Sequence, residues 1–194
     1  MPPKIHNFKD KLSESFIFSS KIDEWYKQHW NVPNIINYEK DKQMQKQGID
    51  KGVIINNTLY TIEEKCREAK YFKYWDKDIL IETISMTSTD TPGWIYTSKA
   101  DILSYYFISN RASEIYLYLL PMKDWLMPWW KKNCHKYEAV PDKIAYNRTY
   151  NTINKPVPFK DIFTALKNDG IEKYCKHYII SAEDKFVDPN PDSF

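Results

Sequence analysis

Residues 48–66 read Gly48-Ile49-Asp50-Lys51-Gly52-Val53-Ile54-Ile55-Asn56-Asn57-Thr58-Leu59-Tyr60-Thr61-Ile62-Glu63-Glu64-Lys65-Cys66. β-Branched residues dominate 51–55, which predicts a strand. Asn56-Asn57 tolerates positive φ and suits a tight hairpin turn. A second strand is expected over 58–66. Side chains alternate faces along a strand. Thr61, Glu63 and Lys65 therefore share one face, and Tyr60, Ile62, Glu64 and Cys66 share the other. Counted from the turn centre, Asp50 and Glu63 each stand about seven residues away, at one height on adjacent strands. One carboxylate from each strand and one ammonium are expected to converge.

Working outward, residues 10–29 predict a helix, because Phe16, Ile17, Ile22, Trp25 and Tyr26 form an apolar stripe at helical spacing. Pro33 limits it. Residues 34–47 are polar and read as a loop with a short helix. Downstream, strands are expected at 78–85, 102–108, 114–120 and 143–152. Helices are expected at 122–132, interrupted by Pro128, and at 159–168, ending near Gly170. The order predicts a single α/β domain over 1–194 with a central mixed β-sheet flanked by helices. Its core is expected over about 10–153, followed by a C-terminal helical extension over about 154–194 and a frayed tail from Val187.

The bulk composition narrows the function classes. Hydrophobic residues make up 42% of the 194-residue chain, enough for a real core. The net charge of +2 neither demands nor excludes a nucleic-acid partner, since phosphate binding needs only local basic patches. The abundance of Lys, Asn, Ile and Tyr resembles proteins of AT-rich microbial or viral genomes. Cys66, Cys134 and Cys175 are widely spaced and form no C-x-x-C pair, so they read as reduced cysteines in a cytoplasmic protein. His6, His29, His135 and His177 have no paired metal spacing. There is no nucleophile elbow and no glycine-rich phosphate loop. The N-terminus lacks a signal-peptide apolar run, and the stretch 115–120 is far too short to span a bilayer, so no membrane association is expected.

Two carboxylates and an amine suit phosphodiester hydrolysis. Hard oxygen ligands hold Mg²⁺ or Mn²⁺, which keeps several waters and takes a phosphate oxygen. The ion polarises the phosphoryl group and lowers the pKa of a bound water. An ammonium beside it orients that water or offsets charge growing on the phosphate.

Asp50 followed by Glu63-Glu64-Lys65 resembles the D...(D/E)xK signature of the PD-(D/E)xK nuclease superfamily. The resemblance covers roughly residues 10–110. Glu82 and the run Gly93-Trp94-Ile95-Tyr96-Thr97-Ser98-Lys99-Ala100-Asp101 resemble its phage-type members. It implies a restriction-endonuclease-like fold, a helix before a three-strand meander, and Mg²⁺-dependent cleavage of DNA. It implies Asp50 and Glu63 as metal ligands, the backbone carbonyl of Glu64 as a further ligand, and Lys65 as the catalytic lysine. The upstream helix supplies another carboxylate in some members, for which Glu24 is the first candidate and Glu39 the second. A homodimer is compatible with a superfamily that often cuts two strands with two subunits. Ile49 stands where the name has proline, and Glu64 where an apolar residue is usual. A rival register, Glu68-Ala69-Lys70, falls in a stretch with helix-favouring residues.

Ser98 and Lys99 follow a Pro-Gly turn and are candidates for DNA phosphate contact. Trp94 reads as core. The segment from Trp125 to Tyr137 interleaves aromatics with lysines, a mix that can stack bases, but its first reading is a helix burying Trp125 and Trp129 with wet lysines. Two other classes stay open: a nucleic-acid-binding protein of this fold that does not cut, and a structural or partner-binding protein.

Overall fold

The computed structural model describes residues 8–67, 77–108, 114–141, 152–174, 176–181 and 186–187. A long helix, α1 (Phe8–Trp30), opens the chain and ends with Asn31 in the left-handed region at φ 51°. The Val32 N–H turns back to the Lys27 carbonyl at 3.0 Å, so the helix closes before Pro33 is reached. After β1 (Ile36–Asn37) comes a short helix, α2 (Lys42–Lys46), whose first amides are capped by Asp41.

The hairpin follows as β2 (Lys51–Ile55) and β3 (Thr58–Arg67). Asn56 and Asn57 carry φ of 50° and 61°, the two positive angles of a type I′ turn. Ile55 pairs with Thr58, and the ladder runs back to Lys51 opposite Ile62. β3 then pairs in parallel with β6 (Ile102–Ile108), which continues antiparallel into β7 (Glu114–Pro121), β10 (Lys176–Ser181) and β11 (Phe186–Val187). The sheet order is β1-β2-β3-β6-β7-β10-β11, so the chain is α/β with a mixed central sheet.

The strand expected at 78–85 exists as β4 (Asp78–Met86), but it does not complete a meander with β2 and β3. It joins a second sheet, ordered β5-β4-β9-β8, with β5 (Thr91–Pro92), β9 (Ile153–Pro158) and β8 (Val140–Pro141). Periodicity reveals a strand, not its partner. The Tyr105 hydroxyl ties the two sheets, accepting from Arg67 Nε at 2.8 Å and from the Leu80 N–H at 3.0 Å.

The central sheet is buried on both faces. Against one face α1 packs Ile22, Trp25 and Tyr26 onto Val53, Ile62, Tyr106, Leu117 and Leu119. The other face, with Leu103, Tyr105, Phe107, Tyr118 and Leu120, meets Ile79 and Ile81 of β4, and Trp94 and Ile95 of α3 (Trp94–Thr97). It also meets Leu126 and Trp130, and Phe159, Ile162 and Leu166 of the helix at Phe159–Asn168.

The expected helix at 122–132 is a π-helical turn, Met122–Leu126, followed by α4 (Met127–Asn133). Pro128 has no N–H and its ring crowds the preceding turn, so the ladder widens ahead of it: the Met127 N–H reaches the Met122 carbonyl. The region expected to be a helical extension holds one long helix, α5 (Phe159–Asn168), with Gly170 just beyond it at φ 69°. Otherwise it carries β9, β10 and β11, which complete both sheets. The strand expected at 143–152, the tail beyond Val187, Cys175 and the rival Glu68-Ala69-Lys70 register lie outside the described residues, save for Thr152, which precedes β9. Among the described residues, Cys66 and Cys134 form no disulfide. No helix among the described residues is long and apolar enough to cross a membrane.

Candidate active site

Asp50 lies at the mouth of the hairpin, one residue before β2, and the ladder places it beside Glu63. Glu63 and Lys65 pair with Leu103 and Tyr105, so both turn toward the β4 side of the sheet, and Asp50 at the adjoining strand end is close enough for its charge to act on both. Glu64 pairs with Ser104 and faces α1. The alternation expected from the sequence therefore holds for Glu63, Glu64 and Lys65.

Backbone and side chains together fix Asp50. Its N–H donates to the Ile62 carbonyl at 2.9 Å, and its Oδ2 accepts the Glu64 N–H at 2.8 Å. Oδ1 accepts from Gln45 Nε2 on α2 at 3.1 Å. The carboxylate thus stands in for a missing strand residue at the end of the ladder. Glu64 directs its N–H toward β2. Because the N–H and C=O of one strand residue face the same neighbour, its carbonyl also faces that edge, just beyond where β2 begins.

Glu63 is only 3% exposed. Its Oε1 is ion-paired with the Lys65 ammonium. Its Oε2 is buried with no well-formed hydrogen bond among the described residues: the Ser98 hydroxyl is near the carboxylate, but its proton is given to the Gly48 carbonyl. Gly48 makes room for that oxygen: a Cβ there would lie 2.5 Å from Oε2. Gly48 has φ of 61°, which glycine adopts without steric cost. Ser98 backs the same corner. Its hydroxyl donates to the Gly48 carbonyl at 2.9 Å and accepts the Ala100 N–H at 3.2 Å.

The electrostatics follow from this crowding. Burial pushes the Glu63 carboxyl above its ordinary value, Lys65 opposes this, and Asp50 adds to it. Burial pulls Lys65 down, but Glu63 first, then Asp50 and Glu82, outweigh it and hold the ammonium above the usual lysine range. Lys65 is a protonated cation among acids, with a third of its side chain exposed. Glu82 of β4 belongs to that field.

The donor set suits a hard divalent cation. Mg²⁺ and Mn²⁺ need only one or two protein carboxylates, because water and substrate phosphate fill the other positions. Asp50, Glu63 and the Glu64 carbonyl are the available oxygens, and the orphaned Oε2 of Glu63 is a lone pair that a cation would satisfy. No group of three or more His, Cys, Asp or Glu side chains poised to hold a metal is found among the described residues. Any ion here would lean on two carboxylates, a backbone oxygen and water.

Other expected residues fall elsewhere. Glu24 and Glu39 are exposed, and Glu24 lies on the helix that packs against the opposite face of the sheet. The α1 carboxylate that reaches the sheet is Asp23, one residue away, and it points to the opposite face. Ser98 is 4% exposed and committed to the Gly48 turn, so it shapes the site instead of meeting a phosphate from solvent. Lys99 is exposed, and its N–H bonds the Gln47 carbonyl at 2.8 Å, which keeps it beside the Gly48 corner. Trp94, Trp125 and Trp130 are buried. Trp129 is half-buried, stacked on Trp125, 5.6 Å away, with Tyr137 tilted against it, 6.1 Å away. Lys131, Lys132 and Lys136 stay exposed.

Sequence reasoning missed Gln45 and Gly48. A glycine two residues before the aspartate, in a chain with only four, was the available signal for the second. Nothing in the sequence singled out Gln45. Comparison with family models, with curated proteins and with solved structures gave no match.

Proposed function

We propose that this chain is a metal-dependent nuclease of restriction-endonuclease-like type, hydrolysing DNA phosphodiester bonds at Asp50, Glu63 and Lys65. The observation that carries the reading is that Glu63 and Lys65 share one sheet face with the Asp50 charge acting on both, while Glu63 Oε2 is buried with no well-formed hydrogen bond among the described residues. Asp50, Glu63 and the Glu64 carbonyl would hold Mg²⁺ or Mn²⁺, which when bound supplies Lewis acidity toward the phosphoryl oxygen and a more acidic water.

The chain's own groups do the remaining work. Gln45 and the Glu64 N–H keep the Asp50 carboxylate oriented at both oxygens. Gly48 and Ser98 wall off the Glu63 carboxylate from water. Lys65, held protonated by the surrounding acids, is suited to orient a water by donating to it or to stabilise charge on a phosphate oxygen. It is not a proton acceptor in this state. Lys99 is the exposed cation nearest this corner by chain connectivity and fits a phosphate of the bound strand.

The test is incubation of linear and circular DNA with the protein and Mg²⁺ or Mn²⁺, against EDTA and Lys65→Ala controls. Metal-dependent cleavage that Lys65→Ala removes is the expected result. DNA binding that persists with no cleavage under either metal replaces this reading with a non-cutting DNA-binding protein. Neither binding nor cleavage sinks both.

A further inference from the structure

The reverse face of β2 and β3 carries an ionic cluster that the proposed reaction does not use. Lys51 is 0% exposed. Its ammonium is ion-paired with Asp23 of α1, lies 3.1 Å from Glu64 Oε2 and donates to the Ser19 hydroxyl at 2.7 Å. The Tyr26 phenol gives its one proton to Glu64 Oε1 at 3.0 Å and accepts from the Ser104 hydroxyl. The cluster joins α1, β2, β3 and β6 at one point.

Its place is specific. Lys51 follows Asp50, and Glu64 stands between Glu63 and Lys65. Alternate residues point to opposite faces, so this pair spans the same two strands at the same height as the candidate site. The Asn56-Asn57 turn sets register at the far end of the hairpin. At the site end the ladder loses its regular pattern: Asp50 N–H bonds the Ile62 carbonyl, although Lys51 is the residue paired with Ile62. There a side chain, Asp50 Oδ2, takes the Glu64 N–H. A one-residue slip would turn the Lys51 cation away from Glu64 and leave a buried carboxylate without its partner.

Energetics point the same way. Burying two acids and a base costs hydration that an apolar pair of equal size would not lose, so such a cluster is poor evidence for stability. What it supplies is choice among registers.

We infer that the buried Lys51–Glu64 pair, anchored to α1 by Asp23 and Tyr26, is the positioning device that holds Asp50 against Glu63. As a claim about catalysis this rests on the nuclease reading. As a claim about geometry it stands apart from it.

The test uses the full chain with two variants, Lys51→Met/Glu64→Leu and Tyr26→Phe. Three quantities are measured: Mn²⁺ affinity by calorimetry, DNA cleavage kinetics, and exchange of individual backbone amides by NMR. The double variant is expected to fold with a lowered melting temperature, since Asp23 and the Tyr26 phenol lose their partners. Its Mn²⁺ affinity falls about 10–100-fold, the range for loss of a group that orients metal ligands. Its kcat falls while KM for DNA holds, and the Glu64 amide exchanges at least about tenfold faster, since Asp50 no longer protects it. Tyr26→Phe moves the same readouts less. A folded double variant with wild-type affinity and wild-type Glu64 exchange overturns the inference. If the double variant does not fold, unchanged Glu64 exchange in Tyr26→Phe overturns it. If the wild-type protein neither takes up Mn²⁺ nor cuts DNA, the nuclease reading fails, and amide exchange alone decides the positioning.

Discussion

Gly48→Ala is the sharpest perturbation of the candidate site, because the chain holds its own control. Gly48 and Gly170 both lie at positive φ, 61° and 69°. A Cβ at Gly170 meets nothing within 4 Å, whereas one at Gly48 would stand 2.5 Å from Glu63 Oε2, 2.9 Å from Ser98 Cβ and 3.0 Å from Ser98 Oγ. Backbone strain is therefore common to both, at about 1–2 kcal/mol. The overpacking, about 1–3 kcal/mol more, belongs to Gly48 alone. In a chain of this length, each kcal/mol lowers the melting temperature by roughly 2–4 °C. Calorimetry should therefore find Gly170→Ala down by about 4 °C and Gly48→Ala down by about 10 °C. The new methyl also pushes the Glu63 carboxylate aside, and a displacement of about 1 Å can cost around 10²-fold in rate. Gly170→Ala should leave cleavage and Mn²⁺ uptake unchanged. Equal melting shifts for the two variants, with full Mn²⁺ affinity in Gly48→Ala, would refute the claim that Gly48 shapes the Glu63 pocket.

Lys65→Met should lower the cleavage rate by about 10²–10³-fold while Mn²⁺ binds as well or better, since Glu63 Oε1 is freed from its ion pair. Rate assays paired with calorimetry check this, and a parallel loss of metal affinity contradicts it. Glu63→Gln should abolish measurable Mn²⁺ uptake yet keep the fold, because it removes a buried charge whose Oε2 has no donor; circular dichroism separates the two effects. Ser98→Ala loses the bond to the Gly48 carbonyl and should cost about 1–2 kcal/mol in urea unfolding, with a slower rate. Burial, with Asp161 beside it, pushes the Tyr137 phenol up to about 12. The folded state therefore favours the neutral ring, and this contribution is whole below about pH 10 and lost on approaching pH 12. Solvent screening keeps it under about 1 kcal/mol, and Tyr137→Phe should flatten that part of the stability profile.

The hairpin and its trio were legible because two strong local rules coincide there. A strand has a period of two, and an Asn-Asn turn with both φ angles positive fixes the count across it. Three other features were not legible, for separate physical reasons. β4 was found as a strand, but its partners β5 and β9 are set by tertiary packing that no local pattern records. The α1 acid expected at the site was not found there, because α1 packs on the opposite face of the sheet: Asp23 meets Lys51 on that face, and Glu24, about 100° further round the helix, is in solvent. Ser98 reads as a phosphate contact because it follows a Pro-Gly turn, yet its hydroxyl is buried against the Gly48 carbonyl. The C-terminal strands were hidden in a polar stretch where α5 gave the only clear helical signal.

Metal-dependent hydrolysis at Asp50, Glu63 and Lys65 depends most directly on where a divalent ion sits. Crystals soaked in Mn²⁺ and measured at its absorption edge locate that ion without ambiguity. The account predicts an anomalous peak about 2.0–2.4 Å from carboxylate oxygens of both Asp50 and Glu63, with Glu63 Oε2 among its ligands. A fully soaked crystal whose anomalous map is flat between those two side chains would contradict it.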